Sequence, residues 1–597
     1  MTFPYYEIYM TGIKSYWKQK SNNLIWNKKP KNILKKIKNR NYWFDDGKLN
    51  IAENCLLNKS NKNKNKTALI FISNSKKIQK ISYSQLTNKV QEFSLLIESL
   101  EIKEKKKIEN VLIHASASNV SAVSMLSFAK LGIHFSVIFE DLPEAAINER
   151  IKLIKPDLII TRNANMINFF KKNLKNNKLN KSLIICSNYK KKNNENIFFN
   201  FDKINPNPKK IIYKHYNSNH KFFTLFTSGS TGKPKGIQHS YGGYMVYSKL
   251  SSMEKFGMQR NSIVLTASDA GWINGHTYAL FSPLSLGATS ILLESPFIIL
   301  DYLFLDKILK ELRISILYLP VTLLRLLKGV IPSEKKKYNH KLKAIGAMGE
   351  PLAKSIAEWY SNYFFKKPKA VVNTYFQTET GGILFAPKYN TQAKKSYGTV
   401  GTPLNKFIKL VKKNKKKFKL EIDVPWPGCM IDVINGEKVW KKYWKGNKFQ
   451  LFDYGSNSGQ NLIVHGRSDD VINIRGHRLG SGEVEAKVLE LKTLVEASAI
   501  SVKHPIEGFS LILFVVTKSK ENELKLKKII ENKIYESFGS YALPKNIYFV
   551  KELPKTKSGK ILRRVLRIIA ENKKEKKLGD LSTMINKESI SKIKKLI

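Results

Sequence analysis

Residues 221–236 read KFFTLFTSGSTGKPKG, an apolar run of strand character that passes directly into a decapeptide, Thr227 to Gly236, holding three glycines, two lysines and four hydroxyl side chains. Glycines let successive backbone N–H groups converge on an anion, and lysines add positive charge. Thr227, Ser228, Gly229, Ser230, Thr231, Gly232, Lys233 and Lys235 are therefore candidate phosphate ligands. The loop of kinases and GTPases requires G-x-x-x-x-G-K-[ST]. Here Gly229 and Gly232 stand only three apart, Lys233 is followed by Pro234, and no Ser/Thr follows that lysine to hold magnesium. Proline also removes a backbone donor where that loop would enter its helix. The kinase and GTPase reading fails, and a glycine-rich surface turn without function is the plainer alternative.

The surrounding pattern sets the fold class. Apolar bursts such as TALIFI, NVLIHA, DLIIT and SLIICS alternate with longer stretches of helical period from about residue 67 to 330. That rhythm predicts βα units, largely parallel sheets and helices on both faces, an α/β fold. The decapeptide follows a strand, and loops at the carboxyl ends of parallel strands are where such sheets bind ligands. Residues 1–66 mix Tyr5, Tyr6, Trp17, Trp26, Trp43 and Phe44 with lysines, as expected of a segment that wraps the body through its aromatics. Near 460–470 the composition shifts and a new strand, turn and helix series begins. The predicted organisation is an N-terminal wrapping segment (1–66), a large domain (67–468) and a small α+β domain (469–597).

Composition bounds the function. A chain of 597 residues with 42% hydrophobic content builds more than one core. Cys55, Cys186 and Cys429 are too scattered for a disulfide framework or a paired metal site, which favours a reducing, cytoplasmic home. The N-terminus lacks the plan of a secretory signal, and the apolar region Phe297–Leu327 is cut by Asp301, Asp306, Lys307, Lys310, Glu311 and Arg313, so buried helix and strand are expected there rather than a membrane span. The net charge of +57 is mostly lysine spread with asparagine through the chain, as in KSNKNKNKT (59–67). Without a recognition motif or a basic-aromatic stripe, no specific nucleic-acid partner is expected.

Five further stretches carry a resemblance: SDAGWINGHTY (268–278), MGEP (348–351), NTYFQTETGG (373–382), GRSDDVINIRGHRLGSGEVE (466–485) and LPKTKSGKILRR (553–564). With the decapeptide, the sequence resembles the adenylate-forming acyl-CoA synthetases, in the acetyl- and propionyl-CoA synthetase branch. YWFDDGKLNIAENC (42–55) and GDLSTMINKESISKI (579–593) extend the likeness to both ends, while 160–215 aligns poorly. The resemblance implies that a carboxylic acid is joined to AMP from ATP with release of pyrophosphate, and that the acyl group then passes to CoA.

An acid and a triphosphate are both anionic, so charge neutralisation should dominate the first step. The decapeptide suits the β- and γ-phosphates. Glu379 is the carboxylate expected to hold Mg2+, with Thr378 beside it near the α-phosphate. The resemblance implies that Gly349, Glu350, Pro351, Asn373, Thr374, Tyr375, Phe376 and Gln377 line the nucleotide. It also implies that Asp453 accepts from the ribose hydroxyls, that Arg467 and Arg478 contact nucleotide, and that Asp469 is the hinge on which the small domain pivots. Lys560 resembles the lysine that bridges carboxylate and phosphate during adenylation, and its acetylation would remove the charge that step needs. Gly476 and Arg478 would face the thiol of CoA.

Several positions depart from the branch. The acyl pocket is expected at Ile273, Asn274, Met348 and Phe376, where acetate enzymes typically have Val, Thr, Val and Trp. Phe376 opens depth that Met348 and Ile273 partly refill, and Asn274 has the donor and acceptor to meet a polar acid. TRNANMINFF (161–170) lacks the branch's arginine pair for CoA, Tyr535 and Leu491 replace an arginine and a histidine, and Leu451-Phe452 replaces the Thr-Gly before Asp453. An acetate or propionate CoA ligase is the leading expectation. A ligase for another small polar acid, an adenylating enzyme with a different acceptor, and a basic nucleic-acid-binding protein without catalysis are the alternatives.

Overall fold

The computed structural model describes residues 3–38, 40–57, 65–187, 197–203, 211–228, 234–332, 341–411, 417–434, 436–467, 471–474, 477–491, 493–504, 508–518, 522–556, 559–571, 578, 581 and 584–597. The expected strands form: TALIFI is Thr67–Ile72, and NVLIHA, DLIIT and SLIICS supply Asn110–His114, Leu158–Thr161 and Leu183–Cys186. They divide between two sheets. The eight-stranded sheet runs parallel from Leu183–Cys186 through Leu158–Thr161, Asn110–His114 and His134–Ile138 to Lys221–Ser228, then turns antiparallel at Pro234–Ser240. The seven-stranded sheet is parallel from Val371–Asn373 through Ala344–Met348, Ile316–Pro320, Ile263–Thr266 and Thr289–Leu293 to Thr67–Ile72, with Ile78–Ser82 antiparallel at its edge.

Helix Asn119–Leu131 is buried at every position from 119 to 130, and helix Tyr241–Phe256 nearly so. A helix apolar or small all round can only sit inside. At its start Ser118 and Ser121 make a reciprocal capping box, and Gly132 ends the helix at φ +69°. Trp17, on helix Phe3–Ser21, packs 6.0 Å from Trp43 and 5.8 Å from Tyr247. The Phe297–Leu327 region is helix and strand, and among the described residues no helix is long and apolar enough to cross a membrane.

Beyond residue 470 the chain builds separate cores around Leu494–His504, Gly508–Thr517 and Asn546–Phe549. Along Gly508–Thr517, Leu511, Leu513 and Val515 face helices Ser481–Val488 and Glu523–Phe538, while Ile512 and Phe514 face helix Arg563–Ala570. The alternation is the pleat of a strand buried on both faces. The proposed boundary at 468/469 lies outside the described residues.

Three of the histidines buried in the large body are held neutral. His134, bonded to Asn110 and Thr224, and the fully buried His239 are held down to about 4, and His276 to about 3, in each case chiefly by burial. Unfolded histidine titrates near 6.5, so their stabilisation is complete above that pH and is lost as pH falls toward 4. Around pH 5 the unfolded chain takes up three more protons there, a slope of about 4 kcal/mol per pH unit. Urea midpoints measured from pH 7.5 to 4.5 should fall accordingly, and a flat profile would contradict the neutral burial of these rings.

Candidate active site

The decapeptide closes a hairpin. Thr227 pairs with Lys235 and Ser228 with Pro234, so the chain returns as an antiparallel strand rather than entering a βα unit. Pro234 stands at the first position of that strand, where a missing N–H is tolerated. Gly229, Ser230, Thr231, Gly232 and Lys233 lie outside the described residues, as does the side chain of Ser228. Lys235 is placed: its ammonium lies 5.3 Å from the centre of the Tyr443 ring and 3.4 Å from the Tyr443 hydroxyl.

That hydroxyl donates to Glu379 Oε1 at 2.6 Å, with Glu379 8% exposed. The turn Thr378–Thr380 is pinned by its backbone. His239 Nε2–H donates to the Thr378 carbonyl at 2.7 Å, the Met430 N–H to that of Glu379 at 2.9 Å, and the Trp426 indole to that of Thr380 at 3.1 Å. Gly381 sits at φ +70°, and a Cβ there would lie 2.1 Å from the Gly428 carbonyl, so glycine is required. The result is a turn held at three backbone carbonyls, with the Glu379 carboxylate fixed by Tyr443.

The nucleotide candidates gather at the carboxyl edge of the seven-stranded sheet. Ala347 pairs with Asn373, which sets Gly349, Glu350 and Pro351 beside residues 373–377. Gly349 turns at φ +91°, and Glu350 is held by Arg325 at 2.7 Å. Asn373 and Thr374 turn inward: the Asn373 amide donates to the Thr399 carbonyl at 2.8 Å, and Thr374 Oγ1 to that of Ala347 at 2.9 Å. Tyr375 and Gln377 both donate to Asp453 Oδ2 at 2.6 Å, which brings the loosely matched aspartate to the cluster. Phe452, in place of the branch's glycine, keeps the left-handed backbone at φ +56° and packs edge-on to Tyr443 at 5.3 Å. A bulky residue in that region is strained by about 1–3 kcal/mol, a cost typical of functional sites.

In the acyl group, Ile273 and Met348 are buried, and Phe376 meets the Tyr278 ring edge-on at 5.6 Å. Asn274 Oδ1 is buried without a hydrogen-bond partner. Lys560 is exposed on a tight hairpin in which Lys555 pairs with Ile561, and the neighbouring Gly559 touches the large body at Thr322. Arg467 lies opposite Asp453 in strand register, and Arg478 opposite Asn473 in a two-stranded ribbon; Asp469 and Gly476 lie outside the described residues. Arg162, in the stretch that lacks the arginine pair, is occupied by Glu294 at 2.6 Å and Glu140 at 3.6 Å.

Sequence reading missed Tyr443 and His239. Tyr443 stands 64 residues from Glu379 in a lysine-rich helix, Glu437–Tyr443, with no motif spacing to reveal it.

The chain matches the AMP-binding enzyme family over residues 56–444, the AMP-binding enzyme C-terminal domain over 483–560 and the acetyl-coenzyme A synthetase N-terminus over 5–55. The chain belongs to the AMP-binding enzymes, in their acetyl-coenzyme A synthetase branch. It is a short-chain acyl-CoA synthetase, an AMP-forming acid–CoA ligase. An acetyl-coenzyme A synthetase of Helicobacter pylori (strain HPAG1) is 31% identical, with 93% of this chain and 88% of the relative aligned. Acetyl-coenzyme A synthetase 2 of Candida albicans is also 31% identical, over 92% of this chain and 86% of its own. The fold is that of an acetoacetyl-CoA synthetase from Streptomyces lividans, with TM-score 0.84, 16% identity and coverage of 98% and 92%.

In this AMP-binding enzyme, Tyr443→Phe removes one hydroxyl and leaves the ring packed. A hydrogen bond to a carboxylate contributes about 1.5–3 kcal/mol, so ATP–pyrophosphate exchange should fall about tenfold or more while the fold persists. Unchanged exchange would show that Glu379 needs no such restraint.

Proposed function

We propose that the acid is a short one of two to four carbons, acetate first, and that ATP, the acid and CoA meet at the cluster around Glu379, Phe376 and Lys560. The observation that carries this is the junction of Glu379, Tyr443 and Lys235: an oriented buried carboxylate beside a cation, at the mouth of the phosphate hairpin. Among the described residues no group of three or more His, Cys, Asp or Glu side chains is placed to cage a metal. Mg2+ suits such a site, because it binds through one or two carboxylates together with substrate phosphates and water. Glu379 would hold it, and when bound it would neutralise phosphate charge. The residues Thr227–Lys235 would follow the departing pyrophosphate, and Asp453, aimed by Tyr375 and Gln377, would receive the ribose hydroxyls.

Lys560 would reach the carboxylate and α-phosphate during adenylation. Its exposure also leaves it open to acylation, which would remove its charge. Arg467 and Arg478 would contact the nucleotide, Asp469 would serve as hinge, and Gly476 with Arg478 would admit the thiol. The reading of CoA as acceptor rests on the family, since Arg162 is already paired and Tyr535 is 57% exposed. The three cysteines are buried, and among the described residues they form no disulfide, in keeping with a cytoplasmic enzyme.

A second reading concerns the acid's polarity. The orphaned Asn274 Oδ1 would be satisfied by an acid that carries a hydroxyl or amide donor, and a buried unpaired acceptor costs about 1–3 kcal/mol. Exchange measured with acetate, propionate, butyrate, lactate and glycolate decides between them. Exchange with none of these would overturn the short-acid reading, and exchange without thioester formation would point to an acceptor other than CoA. Phe376→Trp should shorten the pocket and disfavour propionate and butyrate against acetate by about tenfold or more, since each methylene is worth about 1–3 kcal/mol. Equal activity toward all three would place Phe376 away from the acid.

A further inference from the structure

Thr322 belongs to none of the motifs above, yet it reaches from the large body to the residue beside Lys560. Its hydroxyl donates to the Gly559 carbonyl at 3.0 Å across 237 residues of sequence, and Thr322 is 4% exposed. Thr322 is the second residue of helix Val321–Val330, which springs from the carboxyl end of strand Ile316–Pro320. Pro320 pairs with Met348, so the contact falls at the sheet edge that carries the nucleotide and acyl candidates. The residue that caps this helix is Pro320, with no side-chain bond.

Gly559 fits this contact in two ways. Its φ is +78°, and a Cβ would lie 2.4 to 2.5 Å from Thr322 Cγ2, Cβ and Oγ1, so any other residue would be pushed off the large body. Within the small domain the described backbone around Gly559 is tied by hydrogen bonds. The Gly559 N–H donates to the Thr556 carbonyl at 2.7 Å, the Lys560 N–H to Thr556 Oγ1 at 3.1 Å, and the Thr556 N–H to the Lys560 carbonyl at 2.8 Å. The C-terminal tail braces it from behind. Thr556 pairs with Met584, and the Lys555 N–H donates to Asn586 Oδ1 at 3.1 Å. With its backbone tied in this way, Lys560 needs little more than one fixed point on the opposite domain to aim its side chain.

We propose that Thr322 is a positioning residue of the adenylation half-reaction, latching Gly559 so that Lys560 is aimed at the acid and the α-phosphate. The proposal rests on the reading of Lys560 given above. Because the thiol step makes no use of Lys560, the latch serves formation of the acyl adenylate and not its transfer.

The test uses the full-length enzyme and the acid that gives the fastest exchange. Thr322→Val keeps the shape and loses the donor, Thr322→Ser keeps the donor, and Lys560→Ala removes the side chain being aimed. ATP–pyrophosphate exchange should fall about tenfold in Thr322→Val, the scale of one hydrogen bond, and recover in Thr322→Ser. Conversion of preformed acyl adenylate to thioester should match the unaltered enzyme in both. In the Lys560→Ala background, Thr322→Val should have no further effect on exchange. Full exchange in Thr322→Val beside lost exchange in Lys560→Ala overturns the latch alone, as does equal loss of both half-reactions in Thr322→Val. Full exchange in Lys560→Ala overturns the reading of Lys560 and the latch with it.

Discussion

The hydrogen bond from Tyr443 to Glu379 is the interaction on which the site depends. A carboxylate that is to serve an anionic reaction must be held in one direction out of bulk water, and its neighbours must not let it swing away. Tyr443 does this from outside the Glu379 segment. Its ring is stacked 5.8 Å from Phe449 and edge-on to Phe452, and its hydroxyl meets both Glu379 and Lys235. Three parts of the chain far apart in sequence, the strand that opens at Pro234, the Thr378–Thr380 turn and the helix ending at Tyr443, therefore converge on one phenol. Burial raises the nearby Cys429 thiol well above its usual range, and Glu379 adds to that rise.

The same region shows why strain collects at this site. Phe452 holds a backbone conformation that glycine would adopt freely, directly before the aspartate that Tyr375 and Gln377 orient. Its ring packs against Tyr443, so the side chain that makes the conformation costly also fixes the phenol. The small domain is organised differently, with its own cores on both faces of one sheet and contact with the large body at the Gly559 latch and at Glu483, which meets Lys417 at 2.8 Å.

Much of this was legible in the sequence because it is local. Strand bursts, the shift in composition near 460–470 and the contiguous motifs each depend on residues within a few positions of one another. The decapeptide was read as a loop after a strand. That it returns as a hairpin depends on pairing with the strand it precedes, which Pro234 permits but does not declare. Tyr443, His239 and Thr322 were not legible, because each acts on a backbone or side chain tens to hundreds of residues away and carries no signature of its own. The departures at Ile273, Asn274, Met348 and Phe376 were visible as letters. Only the structure shows that Phe376 leans on Tyr278 while Asn274 keeps a buried, unpartnered oxygen.

The central claim is that the acid's own oxygen attacks the α-phosphorus of ATP. The direct measurement is a complete reaction with ATP, CoA and acetate, or the acid found to react best, labelled with 18O in both carboxylate oxygens, followed by mass spectrometry of the products. Adenylation predicts one 18O in AMP and none in pyrophosphate, because the bridging oxygen stays with phosphorus when the thiol attacks the carbonyl carbon. Label in pyrophosphate or orthophosphate, or unlabelled AMP beside newly formed thioester, would contradict it.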